Sequence, residues 1–230
     1  QPKVCSISGA LKGTEALLRW EHPKLGHVSP GEFIPLAEET GLILPIGDFV
    51  LEQACKQSHQ WQQQGLKCIP IAVNISGHQL NQRNVVTRLL KLLKNYNLPP
   101  EAIELEITES VLVDQTHILG LLAEIRGHGL KIAIDDFGTG YSSLSMLKNF
   151  PVDVLKIDRS FVMEIVDATS VCGIADAVVA LGHALNLTMV AEGIETEEQL
   201  NYFKERKCHL IQGYLTGRPM APDDVVKQFF

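Results

Sequence analysis

The sequence predicts one α/β domain, a TIM-like (β/α)8 barrel in which the first strand is antiparallel to its neighbours. Two observations predict this fold. Short apolar runs alternate with longer helical segments along all 230 residues, which is typical of parallel strands joined by right-handed crossovers. Only residues 8–14 separate the first two strand-like runs. That spacer is too short for a helical crossover, so these two strands are expected to be antiparallel.

Eight short apolar runs are predicted as the barrel strands. They span residues 1–7, 14–20, 71–76, 103–109, 131–137, 154–158, 188–193 and 210–213. Seven of them carry acidic, amide or basic side chains toward their ends, and a carboxylate buried without a partner is costly. Because active sites of such barrels lie at the C-terminal strand ends, these side chains are expected to converge there. Alternation along the second strand places Glu15 inside the barrel and Arg19 nearer the rim.

Helices are predicted between the strands from capping residues and apolar spacing. The segment Ser29-Pro30-Gly31-Glu32 predicts a capping box with proline at the first helical position. The predicted helices span residues 33–40, 48–64, 84–97, 115–127, 170–186, 197–206 and 222–230, with a further short helix before Pro151.

Composition and charge exclude several classes of function. The net charge is −7 and no basic stripe is present, so duplex DNA or RNA is not an expected partner. The five cysteines are scattered without a CxxC pair, which favours a reducing, cytoplasmic setting. No apolar stretch reaches the ~18–20 residues of a membrane span, so no membrane insertion of this segment is expected.

The chain is predicted to form a single structural unit. No linker, low-complexity stretch or repeat divides it, so residues 1–230 are predicted to form one domain. The chain begins at Gln1 rather than at methionine, and we interpret it as one domain of a longer multidomain protein. That protein is expected to be cytoplasmic, or to carry this domain on the cytoplasmic side of a membrane.

The polar strand ends supply hard oxygen donors and one lysine. The carboxylates are Glu15, Glu106, Asp135, Asp136 and Glu192, the amides are Asn74 and Gln212, and the lysine is Lys156. Such donors, without thiolate or imidazole, suit Mg²⁺ or Mn²⁺ better than zinc or copper. If Asp135 bridged two ions about 3.5–4 Å apart, the pair would suit phosphodiester hydrolysis. Lys156 would then orient the attacking water, and a glutamate would accept its proton.

Each of these features also has a purely structural interpretation. A single carboxylate at a strand end is commonly a helix cap or a surface ion pair. Asp135 and Asp136, which precede a Gly-Thr-Gly segment, could serve turn formation. Lys156 with Asp158 could form a surface ion pair, and Gln212 could fill the barrel. The eight histidines show no metal-binding spacing. The combination of polar strand ends favours a functional site over these alternatives.

Several long motifs in the chain resemble those of the EAL domain, a bacterial phosphodiesterase specific for cyclic di-GMP. They are Glu15–Trp20, Glu104–Ser110, Asp135–Leu144, Lys156–Phe161 and Ala191–Thr196. The likeness covers nearly the whole chain, up to Gln212-Gly213-Tyr214 and Pro219. It implies hydrolysis of cyclic di-GMP to linear pGpG, with two Mg²⁺ or Mn²⁺ ions as cofactors and Ca²⁺ as an inhibitor.

The resemblance also implies a role for each site residue. Glu15, Asn74, Glu106 and Asp135 would hold one metal ion, and Asp135 would bridge to a second ion near Asp136 and Glu192. Lys156 would contact the nucleophilic water, Glu192 would be the general base, and Gln212 would line the metal–water cluster. Arg19 would hold a substrate phosphate, with Asp158 at the same rim. Glu109 would brace the loop 135–144, which links the metal site to a dimer interface.

The same resemblance implies a cellular role and an assembly for the domain, and it defines the alternative functions to be tested. The domain would act in bacterial second-messenger signalling and biofilm control, form a homodimer, and be joined to regulatory domains in the full-length chain. Cys5 and residues 6–12 depart from the family pattern but lie outside the catalytic set. Because every expected catalytic residue is present, a working enzyme is predicted, not a catalytically silent receptor for cyclic di-GMP. An unrelated metal-dependent barrel hydrolase is a third hypothesis, but it leaves the motif at 135–143 unexplained.

Overall fold

Eight strands close into a barrel in the computed structural model, which describes residues 1–113, 116–139, 147–167 and 172–230. The strands within these residues are β1 (Pro2–Cys5), β2 (Leu11–Ala16), β3 (Trp20–His22), β4 (Gly26–Val28), β5 (Ile71–Asn74), β6 (Ile103–Thr108), β7 (Lys131–Phe137), β8 (Val154–Ile157), β9 (Thr188–Ala191) and β10 (Leu210–Ile211). Around the barrel they follow the order β1-β10-β9-β8-β7-β6-β5-β2. Strand β1 is antiparallel to both β10 and β2, and the other neighbouring barrel strands are parallel. The predicted fold class is confirmed, including the reversed first strand.

Helices follow the parallel strands and cover the outside of the barrel. They are α1 (Pro30–Glu39), α2 (Ile43–Gln63), α3 (Gly77–Leu80), α4 (Val85–Asn95), α5 (Glu109–Val113), α6 (Thr116–Gly127), α7 (Arg159–Met163), α8 (Gly173–Ala184), α9 (Glu197–Glu205) and α10 (Pro222–Phe229). The short helix predicted before Pro151 lies largely outside the described residues, as does the predicted helix start at residue 170. None of the helices in the described ranges is both long and apolar enough to cross a membrane.

Two of the predicted helix starts are wrong in detail. Helix α2 begins at Ile43, five residues before the predicted start at 48, because Pro45 lies in the first turn, where a missing N–H costs nothing. Glycine at position 47 lets this helix pack closely against α3, because a Cβ there would lie 1.9 Å from Gln79 Nε2 and would clash with it. At the start of α1, Ser29 is the N-cap residue and proline occupies the first turn, but the Ser29 side chain makes no capping hydrogen bond. The capping box predicted there is absent.

The second predicted strand also differs from the structure. Strand β2 ends at Ala16, and the chain leaves the barrel before Trp20 begins the separate β3–β4 hairpin. The Trp20 ring packs edge-on against Phe33 of α1, with centroids 5.6 Å apart. This aromatic contact holds the hairpin on α1. Because β2 ends at Ala16 and β3 begins at Trp20, Arg19 lies in the connection between these strands and not within a barrel strand.

The main apolar core lies between the barrel and its helices, and a second, smaller cluster lies within the barrel. Ala133, Val154 and Val190 form this inner cluster, with Leu210 packed against it. Side chains on one face of a strand recur every second residue. The residues two positions further along these strands therefore also point inward, nearer the C-terminal mouth: Asp135, Lys156, Glu192 and Gln212.

Candidate functional site

A buried lysine lies at the centre of the C-terminal mouth of the barrel. Lys156, near the end of β8, is 1% exposed. Its Nζ lies 2.6 Å from Glu192 Oε1, 2.9 Å from Glu106 Oε2, 3.0 Å from Asp135 Oδ2 and 3.6 Å from Glu15 Oε2. Four carboxylates from four different strands or strand ends thus converge on one ammonium group.

The register of the parallel sheet explains this convergence. Asn74 of β5 is level with Glu106 of β6. Glu192 directly follows β9 and its backbone N–H still donates to Ile157 O at 3.1 Å, while Gln212 N–H donates to Ala191 O at 2.9 Å. The polar residues therefore continue the ladder at the strand ends, which is the position that the sequence predicted for them.

Two amides complete the site around Glu15. Asn74 Nδ2 donates to Glu15 Oε1 at 2.8 Å, and Gln212 Nε2 donates to Glu15 Oε2 at 2.6 Å. Among the described residues, no group hydrogen-bonds to Gln212 Oε1, although this atom is buried. A buried acceptor without a donor is rare in native proteins, so the Gln212 oxygen suits a bound water molecule inside the site.

The electrostatics of the site show more negative charge than the lysine can balance. Burial alone would lower the pKa of Lys156, but Glu106 and the other carboxylates outweigh it and raise that pKa. Burial also opposes ionisation of Glu106, yet Lys156 and Lys3 lower its pKa to about 2. For Glu15 and Glu192, burial raises the pKa, in the case of Glu192 to about 8. Two ammonium groups, Lys156 and Lys3, therefore stabilise the charged form of Glu106, whereas Glu15 and Glu192 remain short of positive charge.

The carboxylate oxygens are grouped closely enough to bind cations. Ligand oxygens of Glu15, Glu106 and Asp135 all lie within 4.8 Å of one another, and so do those of Asp135, Asp136 and Glu192. The two groups share Asp135, as a bridging ligand requires. An all-oxygen donor set with excess negative charge and a buried acceptor for water fits Mg²⁺ or Mn²⁺.

Asp136 and Asp158 lie at the edge of this site. Asp136 has a left-handed backbone with φ of 53°, and its N–H donates to Asp135 Oδ1 at 2.9 Å. Burial, followed by the charges of Asp135 and Asp158, raises the pKa of Asp136 to about 6. Asp158 is the N-cap of α7, where its Oδ1 accepts from the Ser160 N–H at 2.9 Å. Its contact with a substrate stays a prediction.

Arg19 lies in the connection between β2 and β3, and Glu109 is the first residue of α5. Arg19 is exposed and donates to Leu18 O at 3.0 Å, and it lines a cavity of about 290 Å³ together with Glu15, Asp135, Lys156 and Glu192. Glu109 is buried, and its Oε2 accepts from the Gly138 N–H at 2.9 Å. Residues 140–144 lie outside the described residues, so the bracing of this loop by Glu109 stays a prediction.

Two residues of the barrel interior were not predicted from the sequence. Lys3 Nζ lies 2.5 Å from Glu104 Oε1 and 3.1 Å from Glu106 Oε1, and all three side chains are buried. Glu104 could have been found from its position two residues before Glu106, because that spacing places both side chains on one face of the strand.

A comparison with known protein families shows where this chain belongs. The family model described as "EAL domain" matches residues 1–219. The chain belongs to the EAL domain family. Over 98% of its length it is 45% identical to the bifunctional diguanylate cyclase/cyclic di-GMP phosphodiesterase MucR of Pseudomonas aeruginosa, of which the match covers 33%. It is 39% identical, again over 98% of its length, to the cyclic di-GMP phosphodiesterase PA2567 of the same organism, of which the match covers 38%. The EAL domain described here thus spans about a third of the length of these relatives.

Solved EAL structures agree with the fold. A PaMucR phosphodiesterase in complex with c-di-GMP matches this EAL domain with a TM-score of 0.92 and 45% identity, covering 98% of this chain and 92% of the other. The EAL enzyme Bd1971, in a cAMP-bound form, matches with a TM-score of 0.93 and 34% identity, covering all of this chain and 65% of the other. The barrel architecture is therefore shared with experimentally determined members of the family.

Proposed function

We propose that this EAL domain hydrolyses one phosphodiester bond of cyclic di-GMP and releases linear pGpG. The observation that carries this proposal is the convergence of four carboxylates on Lys156 at the C-terminal mouth. Relatives that are named cyclic di-GMP phosphodiesterases, and the PaMucR complex with c-di-GMP, support the choice of substrate.

The carboxylates are suited to hold two divalent ions, Mg²⁺ or Mn²⁺. One ion would use Glu15, Asn74, Glu106 and Asp135, and the second would use Asp135, Asp136 and Glu192, in agreement with the two oxygen groups described above. When bound, such ions lower the pKa of water and stabilise the attacking and leaving oxygens of a phosphodiester.

The residues around the ions supply the remaining chemistry. Glu192 Oε1 lies 2.6 Å from Lys156 Nζ, at the centre of the site, and its carboxylate would accept the proton from the attacking water. Lys156 Nζ donates hydrogen bonds to Glu106 and Asp135 and would contact the nucleophilic water. Gln212 Oε1 would accept a hydrogen bond from a water in the cluster, and Arg19 would bind a phosphate oxygen at the rim.

A chromatographic time course tests the proposal. Purified protein with Mg²⁺ or Mn²⁺ should convert cyclic di-GMP to pGpG, and Ca²⁺ should suppress this conversion. The variant Glu15→Ala should lose turnover and keep part of the substrate affinity. Tight binding of cyclic di-GMP without turnover in either metal would instead establish a receptor. No conversion and no binding would overturn the assignment of the substrate.

The assembly of the whole protein is also a proposal. Residues 1–230 would form one domain of a longer multidomain protein, consistent with relatives about three times as long as the match. The domain would work in the cytoplasm as a homodimer and lower the cyclic di-GMP that controls biofilm formation. Sedimentation velocity of this chain tests the dimer, because a monomer at all concentrations would contradict it.

A further inference from the structure

A second buried lysine, Lys3, contacts the site from the N-terminal side of the barrel. Lys3 lies on the reversed strand β1 and is 2% exposed. Its Nζ reaches Glu104 Oε1 at 2.5 Å and Glu106 Oε1 at 3.1 Å, although β2 and β5 lie between β1 and β6 around the barrel. The Lys3 side chain therefore crosses the interior of the barrel to reach two carboxylates on β6.

The Lys3 side chain fits inside the barrel beside Gly13, which has no side chain of its own. Gly13 of β2 is the strand partner of Lys3, and a Cβ at Gly13 would lie 3.4 Å from Lys3 Cε. The neighbouring interior residues Ala133, Val154 and Val190 are apolar. A buried ammonium in such surroundings is costly unless it is paired and hydrogen-bonded, and Glu104 with Glu106 supplies that pairing.

The two oxygens of Glu106 have different partners. Oε1 binds Lys3 Nζ, and Oε2 binds Lys156 Nζ at 2.9 Å. Only Oε2 thus faces the ammonium that Asp135, Glu15 and Glu192 share. A carboxylate fixed at one oxygen cannot rotate freely, so its other oxygen stays directed at the centre of the site.

We propose that Lys3 is a positioning residue, which anchors Glu106 Oε1 so that Oε2 stays available as a metal ligand. Glu104 has a different role, because it balances the charge of Lys3 in the barrel interior. This inference rests on the metal site of the proposed function. Groups that orient metal ligands in this way affect metal affinity by about 10–100-fold when they are removed.

The test uses a charge-matched pair of variants and measures metal binding directly. Lys3→Met combined with Glu104→Gln removes one positive and one negative charge, so the net charge of the interior is unchanged while Glu106 loses its anchor. Glu104→Gln alone keeps the Lys3–Glu106 hydrogen bond. Mn²⁺ affinity is measured by calorimetric titration of each protein, and circular dichroism reports folding.

The expected results separate positioning from a structural role. The double variant should bind Mn²⁺ about 10–100-fold more weakly than the wild type, whereas Glu104→Gln alone should stay within about twofold. Wild-type affinity in a folded double variant would overturn the role of Lys3. An equally large loss in Glu104→Gln would also overturn it, so that variant keeps the proposal falsifiable where the double variant does not fold. Absence of Mn²⁺ binding in the wild type would overturn the metal site itself and the role of Lys3 with it.

Discussion

The barrel interior contains two layers of side chains that come from the same strands and differ in charge balance. The lower layer, toward the N-terminal end, comprises Gly13, Ala72, Glu104, Ala133, Val154, Val190 and Leu210; the upper layer comprises Glu15, Asn74, Glu106, Asp135, Lys156, Glu192 and Gln212. Each upper residue follows a lower residue by two positions, so both lie on the inner face of one strand.

The two layers show how a charge that is balanced within the fold differs from charges that form a binding site. In the lower layer the single carboxylate, Glu104, pairs with Lys3 at 2.5 Å, and small or apolar residues fill the remaining space. In the upper layer one lysine contacts four carboxylates. Repulsion among these four carboxylates lowers the stability of the fold. A site that retains such repulsion is suited to bind cations from solution.

The largest expected effect comes from removing one charge of the upper layer without changing its shape. Asp135→Asn should lower the rate of cyclic di-GMP hydrolysis about 1000-fold, because Asp135 belongs to both oxygen groups and metal ions provide several kcal/mol of transition-state stabilisation. The measurement is the initial rate at saturating Mn²⁺. The melting temperature without metal should not fall, since one repulsive charge is gone. A rate within tenfold of the wild type would contradict the bridging role.

The next largest effect comes from removing the ammonium group of Lys156, which four carboxylates share. Lys156→Met should lower turnover about 100-fold and reduce the unfolding free energy of the metal-free protein by about 3–5 kcal/mol, because buried carboxylates lose their partner. Added Mn²⁺ should restore part of that stability by binding the folded state. Thermal denaturation with and without Mn²⁺ measures both effects, and a loss of stability that Mn²⁺ leaves unchanged would argue against cation binding at this position.

A matched change in the lower layer should affect stability alone. Val154→Ala, two residues before Lys156, creates a cavity in the inner apolar cluster and should cost about 2 kcal/mol of unfolding free energy. The Mn²⁺ concentration that gives half-maximal turnover should stay within about twofold of the wild type. A much higher Mn²⁺ requirement would show that the layers are coupled more tightly than their contacts indicate.

The smallest effect is a pH dependence of the metal-free protein. The pKa values of Asp136 and Glu192 are raised, to about 6 and about 8, mainly by burial. The folded state therefore binds more protons than the unfolded state between pH 5 and pH 8, and its stability falls as pH rises through this window. The melting temperature should drop by about 3 °C or more from pH 5 to pH 8. Saturating Mn²⁺ should abolish the drop, and a melting temperature that rises with pH would contradict the charge imbalance.

The upper layer could be predicted from the sequence because two simple rules locate it. Alternation defines the inner face of each strand, and barrel topology brings the C-terminal ends together. Glu15, Glu106, Asp135 and Glu192 were therefore predicted to converge, and the structure brings them together around Lys156. Their individual catalytic roles stay predictions.

Contacts between distant segments could not be predicted in the same way. Lys3 pairs with Glu104 across the barrel, and nothing in the local sequence of β1 specifies that partner. Trp20 was assigned to a barrel strand because it closes the strand-like run 14–20, whereas packing on Phe33 places it in the β3–β4 hairpin. The predicted capping box at Ser29 is absent, while one formed at Ser76 with Gln79 was missed because α3 is only one turn long.

The unbalanced carboxylates of the upper layer are expected to bind the catalytic cations, and every other expectation for the site depends on this. Anomalous diffraction from crystals grown with Mn²⁺ tests it most directly. We expect one Mn²⁺ beside Glu15, Glu106 and Asp135 and a second beside Asp135, Asp136 and Glu192, with none beside Glu104. Crystals of protein that hydrolyses cyclic di-GMP in Mn²⁺, but show no Mn²⁺ at these upper-layer carboxylates, would contradict it.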